Sequence, residues 1–536
     1  MAESTPQRVW RASCSFCGAP VEFRSAASPM AVCSYCKSTL VRQGDTLRRI
    51  GESGALFDDH SPLALGARGR WQGEPFTLVG RIQMAYRPIT DNAAADAGRW
   101  SEWHALFDNG RSAWLSEDNG AYVMSLEQPA RQALPDLLQA RPGETLFIEQ
   151  QPWVLGSVVL ARVIGAQGEL AFVPDFKNSS RLFELRNTQD QVLSIDTGEQ
   201  PPRRYVGHPV ELSALQLSGL NDLKQPAEAQ LDGQGISCPQ CGAALSPRLS
   251  DSQSIVCGAC HSVVDISQGL GGALAHYQQD NGDEPLIPLG TTGKLLVDGR
   301  RDDWQVVGYQ ERCDVPTPAS GDESTFWREY LLYNRQRGFA FLVDAEDGWS
   351  VVKPTTGVPS TPSLDKALLR GKTFRKQYSY QAMTTYALGE FYWVVRRGQR
   401  SLNADYVGTG PDRSWRLSRE EADGEITWSV GQVLEATAVM GSFGLAAQPK
   451  ARFERDVSPL SASTELPGWV SQAVIWGVII LIFLLVTQCS DDCDEVRDRY
   501  GSSSVEYQQC RGSSGSGSHG SYGGSYGGYS SGGFHK

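Results

Sequence analysis

Eight cysteines fall into two sets, Cys14, Cys17, Cys33 and Cys36, then Cys238, Cys241, Cys257 and Cys260, each spaced C-x2-C-x15-C-x2-C. Paired thiolates at this spacing close around a single tetrahedral ion, and an all-sulfur donor set suits Zn2+. Four sulfurs leave no open position for water or substrate. The expected cofactor is therefore two structural Zn2+ ions, each holding together a ribbon too small for a core of its own. A rubredoxin-like iron site uses similar spacing. His261 directly follows Cys260, but Lys37 holds the matching place in the first set, so His261 reads as a surface residue and not a ligand.

The second cysteine set lies 224 residues after the first, and Leu289-Gly290 and Gly293 repeat Leu65-Gly66 and Gly69 at the same offset. With small insertions, Val79-Gly80 pairs with Val307-Gly308, Gly110 with Gly338, Gly120 with Gly348, Gly143-Glu144-Thr145 with Gly371-Lys372-Thr373, and Gly168-Glu169-Leu170 with Gly389-Glu390-Phe391. A unit of about 220 residues has been duplicated.

Trp100-Ser101-Glu102-Trp103 likewise answers to Trp327-Arg328-Glu329-Tyr330. Residues two apart share one face of a strand, which places Trp100 beside Glu102 and Trp327 beside Glu329. One reading is a ligand pocket in each copy, built from Trp100, Glu102 and Trp103 or from Trp327, Glu329 and Tyr330, that takes a small cation or polyamine by carboxylate attraction and cation–π contact. The other is an aromatic core cluster with its Glu bonded to backbone amides.

Catalytic signatures are missing. None of the seven histidines recurs in the other copy, and there is no dinucleotide fingerprint, P-loop, His-Glu-x-x-His or Gly-x-Ser-x-Gly. The reading is therefore not an enzyme. Cys313 has no counterpart in the first copy and reads as a small buried residue, while Cys493 and Cys510 could pair as a disulfide if their side of the membrane is oxidising.

The 536 residues carry a net charge of −12, which disfavours nucleic acid as a partner of the whole chain. Residues 1–50 nonetheless hold seven Arg/Lys against three acids, whereas residues 230–270 hold one against three. The first residues lack the apolar run of a signal peptide. Residues 469–486 run for 18 positions without a charge, which predicts one C-terminal transmembrane helix over 468–487. The expected location is a bacterial inner membrane crossed once, with the head cytoplasmic and the short tail outside.

The fold expected is mainly β. A small zinc ribbon (10–45) precedes a β-rich barrel or sandwich-like module (60–225), and the pair repeats as 234–270 and 283–447. A linker (448–467), the membrane helix and a disordered tail rich in Gly, Ser and Tyr (488–536) follow. Short apolar and aromatic runs such as Phe339-Ala-Phe-Leu-Val, punctuated by Gly and Asp-Gly turns, carry the strand reading. Short helices are expected near 127–140 and 363–369.

Trp327 to Leu332, Gly389-Glu390-Phe391-Tyr392-Trp393, Asp405-Tyr406-Val407 and Ile426-Thr427-Trp428-Ser429 resemble the bacterial family called domain of unknown function 4178, as do the ribbons and the tail. The resemblance covers most of residues 60–450 in two copies and is closer in the second. The first departs at Trp103-His104-Ala105 and lacks a clear Thr-Trp-Ser. It implies no activity and no catalytic residue to carry over. What it implies is a setting, beside polyamine synthesis, small membrane proteins and envelope-stress components resembling phage-shock proteins.

Together these readings point to a membrane-anchored scaffold or sensor whose partners are other membrane or envelope-stress proteins. Two alternatives accompany it: polyamine or cation binding through the acidic, aromatic pockets, and contact of the first ribbon with nucleic acid or anionic lipid.

Overall fold

Beta-branched and aromatic runs broken by Gly turns favour strands, and a sheet that curls upon itself leaves no open edge; in the computed structural model it does so twice. The structure describes residues between 10 and 455, apart from short internal stretches of which 53–60, 90–97, 222–235, 267–275 and 317–323 are the longest. In the first copy the wall strands are β1 (Glu74–Pro88), β2 (Gly98–Phe107), β3 (Ser112–Asp118), β4 (Ala121–Glu127), β5 (Gln151–Leu170), β6 (Ser180–Arg186), β7 (Val192–Asp196) and β8 (Arg203–Pro209). They close in the order β1-β2-β3-β4-β8-β7-β6-β5 and back to β1, every pair antiparallel.

The second copy uses β9 (Arg300–Asp314), β10 (Phe326–Asn334), β11 (Gly338–Ala345), β12 (Gly348–Thr355), β13 (Lys372–Phe391), β14 (Arg400–Gly408), β15 (Trp415–Ala422) and β16 (Glu425–Leu434). It closes in the same order. Eight strands enclose an interior just wide enough for side chains to fill. The barrels touch: Asn187 O accepts from Val358 N at 3.3 Å, and Arg370 lies 3.3 Å from Asp190.

The repeated glycines mark where each wall is pinched. Val79 and Val307 sit at a bulge in the pairing of the first two strands. A Cβ on Gly80 would lie 1.9 Å from Glu169 O, and one on Gly308 2.7 Å from Glu390 O. Across the pinch, Gly168 and Gly389 hold φ of +68° and +87°, the left-handed region that glycine enters at no steric cost.

That pinch is where each ribbon joins its barrel. β5 and β13 are 20 residues each, and their far ends run past the barrel. The ribbon strand Met30–Val32 pairs with Gly168–Leu170, and Ser254 and Ile255 of the strand Ser254–Val256 pair with Phe391 and Glu390.

Three expectations need correction. Of the barrel and the sandwich-like module expected, the sandwich is excluded, because each copy is a closed barrel whose wall continues into its ribbon. Second, the helices expected at 127–140 and 363–369 do not form. Residues Ser360–Ser363 and Lys366–Leu369 are a strand hairpin, and the α-helix found among the described residues is α1 (Ala436–Ser442), seven residues long. No helix among the described residues is long and apolar enough to cross a membrane. The span expected over 468–487, the tail, and Cys493 and Cys510 lie outside the described residues. Third, Gly371-Lys372-Thr373 is not the counterpart of Gly143-Glu144-Thr145. It forms the turn into β13, where the first copy has Gln150-Gln151-Pro152, and Gln150 and Gly371 both take positive φ.

Candidate metal centres and the buried polar core of each barrel

Each cysteine pair forms a turn in which an amide reaches back to the carbonyl of the first cysteine, Gly18 N to Cys14 O at 3.0 Å and Lys37 N to Cys33 O at 3.0 Å. Gly242 and His261 repeat this in the second ribbon. The closing residue takes positive φ in all four turns, so Lys37 and His261 are exposed turn formers.

The turns bring all four sulfurs of a set within 4.8 Å of one another. Cys14 and Cys36 Sγ are 3.7 Å apart, as are Cys17 and Cys33, and the second set shows 3.6 and 3.7 Å. Sulfurs bonded to one tetrahedral ion at about 2.3 Å would be about 3.8 Å apart, so the donors fit a single ion without rearrangement. Ser38 and Ser262 hydroxyls lie 3.2 and 3.3 Å from the Cys36 and Cys260 sulfurs and draw those thiols down to about 6. The Ala19 amide draws Cys17 down, but burial and the three neighbouring sulfurs outweigh it and push that thiol up to about 12. Four sulfurs this close cannot all ionise without a cation between them.

Glu169 and Glu390 fasten the ribbons. The Glu169 carboxylate accepts from Arg24 N and Ser25 N at 2.6 and 2.8 Å, and its carbonyl oxygen lies 2.9 Å from His104 Nδ1. Glu390 accepts from the Ser252 hydroxyl at 2.7 Å. The retained Gly-Glu pair is thus the joint between cysteine ribbon and barrel. Its recurrence in the sequence was the available signal, though spacing alone does not say what it joins.

The Trp-x-Glu residues turn inward. Trp100 Nε1 donates to Glu102 Oε1 at 2.7 Å, and Trp327 Nε1 donates to Glu329 Oε1 at the same distance. Both carboxylates are buried, as are Trp103 and Tyr330. Tyr330 faces the opposite side of the wall, packed with Trp349 and Tyr309, so it does not share a pocket with Glu329.

Around Glu329 the second barrel assembles a network that sequence reading missed. Arg312 on β9 reaches Ser401 Oγ on β14 at 2.7 Å and Glu420 Oε1 on β15 at 2.9 Å, with Glu329 Oε1 at 3.5 Å. β9 and β15 are separated by β13 and β14 around the wall, so this contact crosses the interior. Gln310 donates to Glu329 Oε2 at 2.6 Å, and the Tyr380 hydroxyl donates to Asp405 at 2.8 Å. Burial, together with the charges of Asp347, Glu420 and Glu329, pushes Asp405 up to about 8 although the Tyr380 bond opposes it. Burial also raises Glu420.

The first barrel keeps the Trp–Glu bond and changes the rest. By strand register Met84 stands where the second has Arg312, Ile82 for Gln310, and Glu184 for Asp405. Glu184 forms a buried ion pair with Arg186, where the second copy has Val407. Arg312 left no trace in the repeat because Met84 replaces it, and Glu420 recurs only as the shorter carboxylate of Asp196, a match that strand register shows and sequence spacing does not.

No curated protein matches the chain, and no solved structure does. A family profile described as Domain of unknown function (DUF4178) matches residues 64–212 and 295–436, one stretch per barrel, and that description assigns no activity. The two matches cover more than half of the 536 residues, and the chain belongs to this family in two tandem copies.

Proposed function

We propose that this chain is a scaffold or sensor in which two Zn2+ ions hold two ribbons against two barrels, serving a bacterial envelope-stress or polyamine-linked membrane system. The observation that carries this reading is the orientation of Glu102 and Glu329. The polar element common to both copies is bonded to its own indoles inside the wall, where it supports the fold, and the closed sulfur sites leave the metal no position for a substrate. The membrane setting rests on the uncharged run at 469–486.

Mass spectrometry of proteins co-purifying from gently solubilised native membranes tests it, comparing the full chain with one ending at Arg455. Ending there preserves Phe453, whose carbonyl accepts from Trp349 Nε1 at 2.8 Å. A stoichiometric partner supports the scaffold. Its absence from both samples counts against it.

A second reading, cation or polyamine binding, is favoured by one feature of the second barrel. Glu329 and Glu420 flank Arg312, and Glu420 Oε2 is buried without a hydrogen-bond partner. Stabilisation of the head by spermidine, lost in Glu420→Gln, would support it.

A further inference from the structure

We propose that the first ribbon is a docking surface for an anionic phospholipid membrane, a role the second ribbon lacks.

Each metal turn of the first ribbon carries an aromatic residue just before its second cysteine. Phe16 is 58% exposed and Tyr35 74% exposed, although both are fixed in the chain beside a metal ligand. The Arg49 guanidinium lies 4.0 Å over the Phe16 ring. Arg48 and Lys37 are exposed, and Arg24 and Arg42 are half-buried. Glu22 is already bridged to Arg11 at 2.7 Å.

The second ribbon provides the control. With the same turns and sulfur separations, it has Gln240 and Ala259 in place of Phe16 and Tyr35, and its charge balance is acidic. The metal therefore requires neither ring. Projecting aromatics framed by cations match the headgroup layer, where rings settle between polar and apolar phases and each Arg or Lys gains from anionic phosphate.

A nucleic acid would use the same charges but needs open ring faces for base stacking, and one face of Phe16 is taken by Arg49. Lipid is also the phase favoured by residues 469–486 of the same chain. A second attachment on one molecule acts at high effective concentration, so weak contact by the ribbon suffices.

The test uses full-length protein reconstituted in nanodiscs of phosphatidylcholine, with and without phosphatidylglycerol. Hydrogen exchange over residues 10–52 is expected to slow at least about threefold in the anionic discs, and the slowing to vanish at about 1 M salt. The variant Phe16→Gln with Tyr35→Ala, which installs the second ribbon's residues, should keep its metal and lose the slowing. Equal exchange in both discs overturns the proposal, as does slowing that survives in the variant. Slowing by a single-stranded oligonucleotide without slowing by anionic lipid overturns it too.

Discussion

Arg312 Nη2 lies 2.9 Å from Glu420 Oε1 across the interior of the second barrel, and both side chains are withdrawn from solvent. Register places Met84 at the Arg312 position of the first barrel, so the fold itself does not require a cation there. What requires it is the burial of both carboxylates, Glu329 and Glu420, beside it; at the position of Glu420 the first barrel has the half-buried Asp196. Removing one member of a buried ion pair costs more than removing the whole pair, because the survivor is left charged without compensation. Arg312→Met should therefore destabilise the protein by about 3–5 kcal/mol, while Arg312→Met combined with Glu420→Gln should recover part of that loss. Urea unfolding of the three proteins measures the difference.

Asp405 gives the second barrel a pH dependence of definite sign. Its folded value near 8 lies above the ordinary 3.8, so the folded state holds this proton after the unfolded chain has released it. The resulting contribution is fully present below about 4 and is lost as pH rises towards 8. Melting temperature should fall over that window. Asp405→Asn keeps an acceptor for the Tyr380 hydroxyl and should flatten the fall, leaving the variant several degrees more stable than the parent at pH 8.

Gly80→Ala should unfasten the first ribbon. The added Cβ would meet the Glu169 carbonyl, a backbone atom that cannot swing aside, and forced overpacking of this kind costs about 1–3 kcal/mol. Amide exchange at Met30–Val32 should accelerate while the pairing of Met124 with His208, on the other side of the barrel, stays protected. Uniform acceleration across the barrel would show that the ribbon is not separately fastened.

Elemental analysis should find two Zn2+ per chain and one after either Cys17→Ser or Cys241→Ser. Loss from the second site should raise exchange at Ile255 and Glu390, which share a ladder, and leave the first barrel unchanged. Iron in place of zinc, or full metal content in either variant, would refute the assignment.

Features written locally were legible in the sequence. The cysteine spacing defined both four-sulfur clusters, and strand alternation placed each Trp beside its Glu, whose carboxylate accepts from the indole. The Arg312–Glu420 contact joins residues 108 apart and has no spacing to betray it. The hairpin Ser360–Leu369 was misread as helix because its turn, Leu364-Asp365, carries neither Gly nor Pro, and small insertions misaligned the next turn, Arg370-Gly371, with Gly143. The handover at Glu169 and Glu390 was visible as a repeat but not as a joint, since its partners lie 144 and 145 residues away in the first copy.

The joint between ribbon and barrel also fixes an order of events during synthesis. The first metal set is complete once Cys36 has been made, but the strand that receives the ribbon, Gly168–Leu170, emerges more than 130 residues later. A ribbon that takes up an ion at this stage would fold early and present Met30–Val32 as a ready edge for the end of β5 as it leaves the ribosome. The barrel cannot close until β8 pairs with β4, and the second copy is laid out along the chain in the same order, with its ribbon strand made before the end of β13 that receives it.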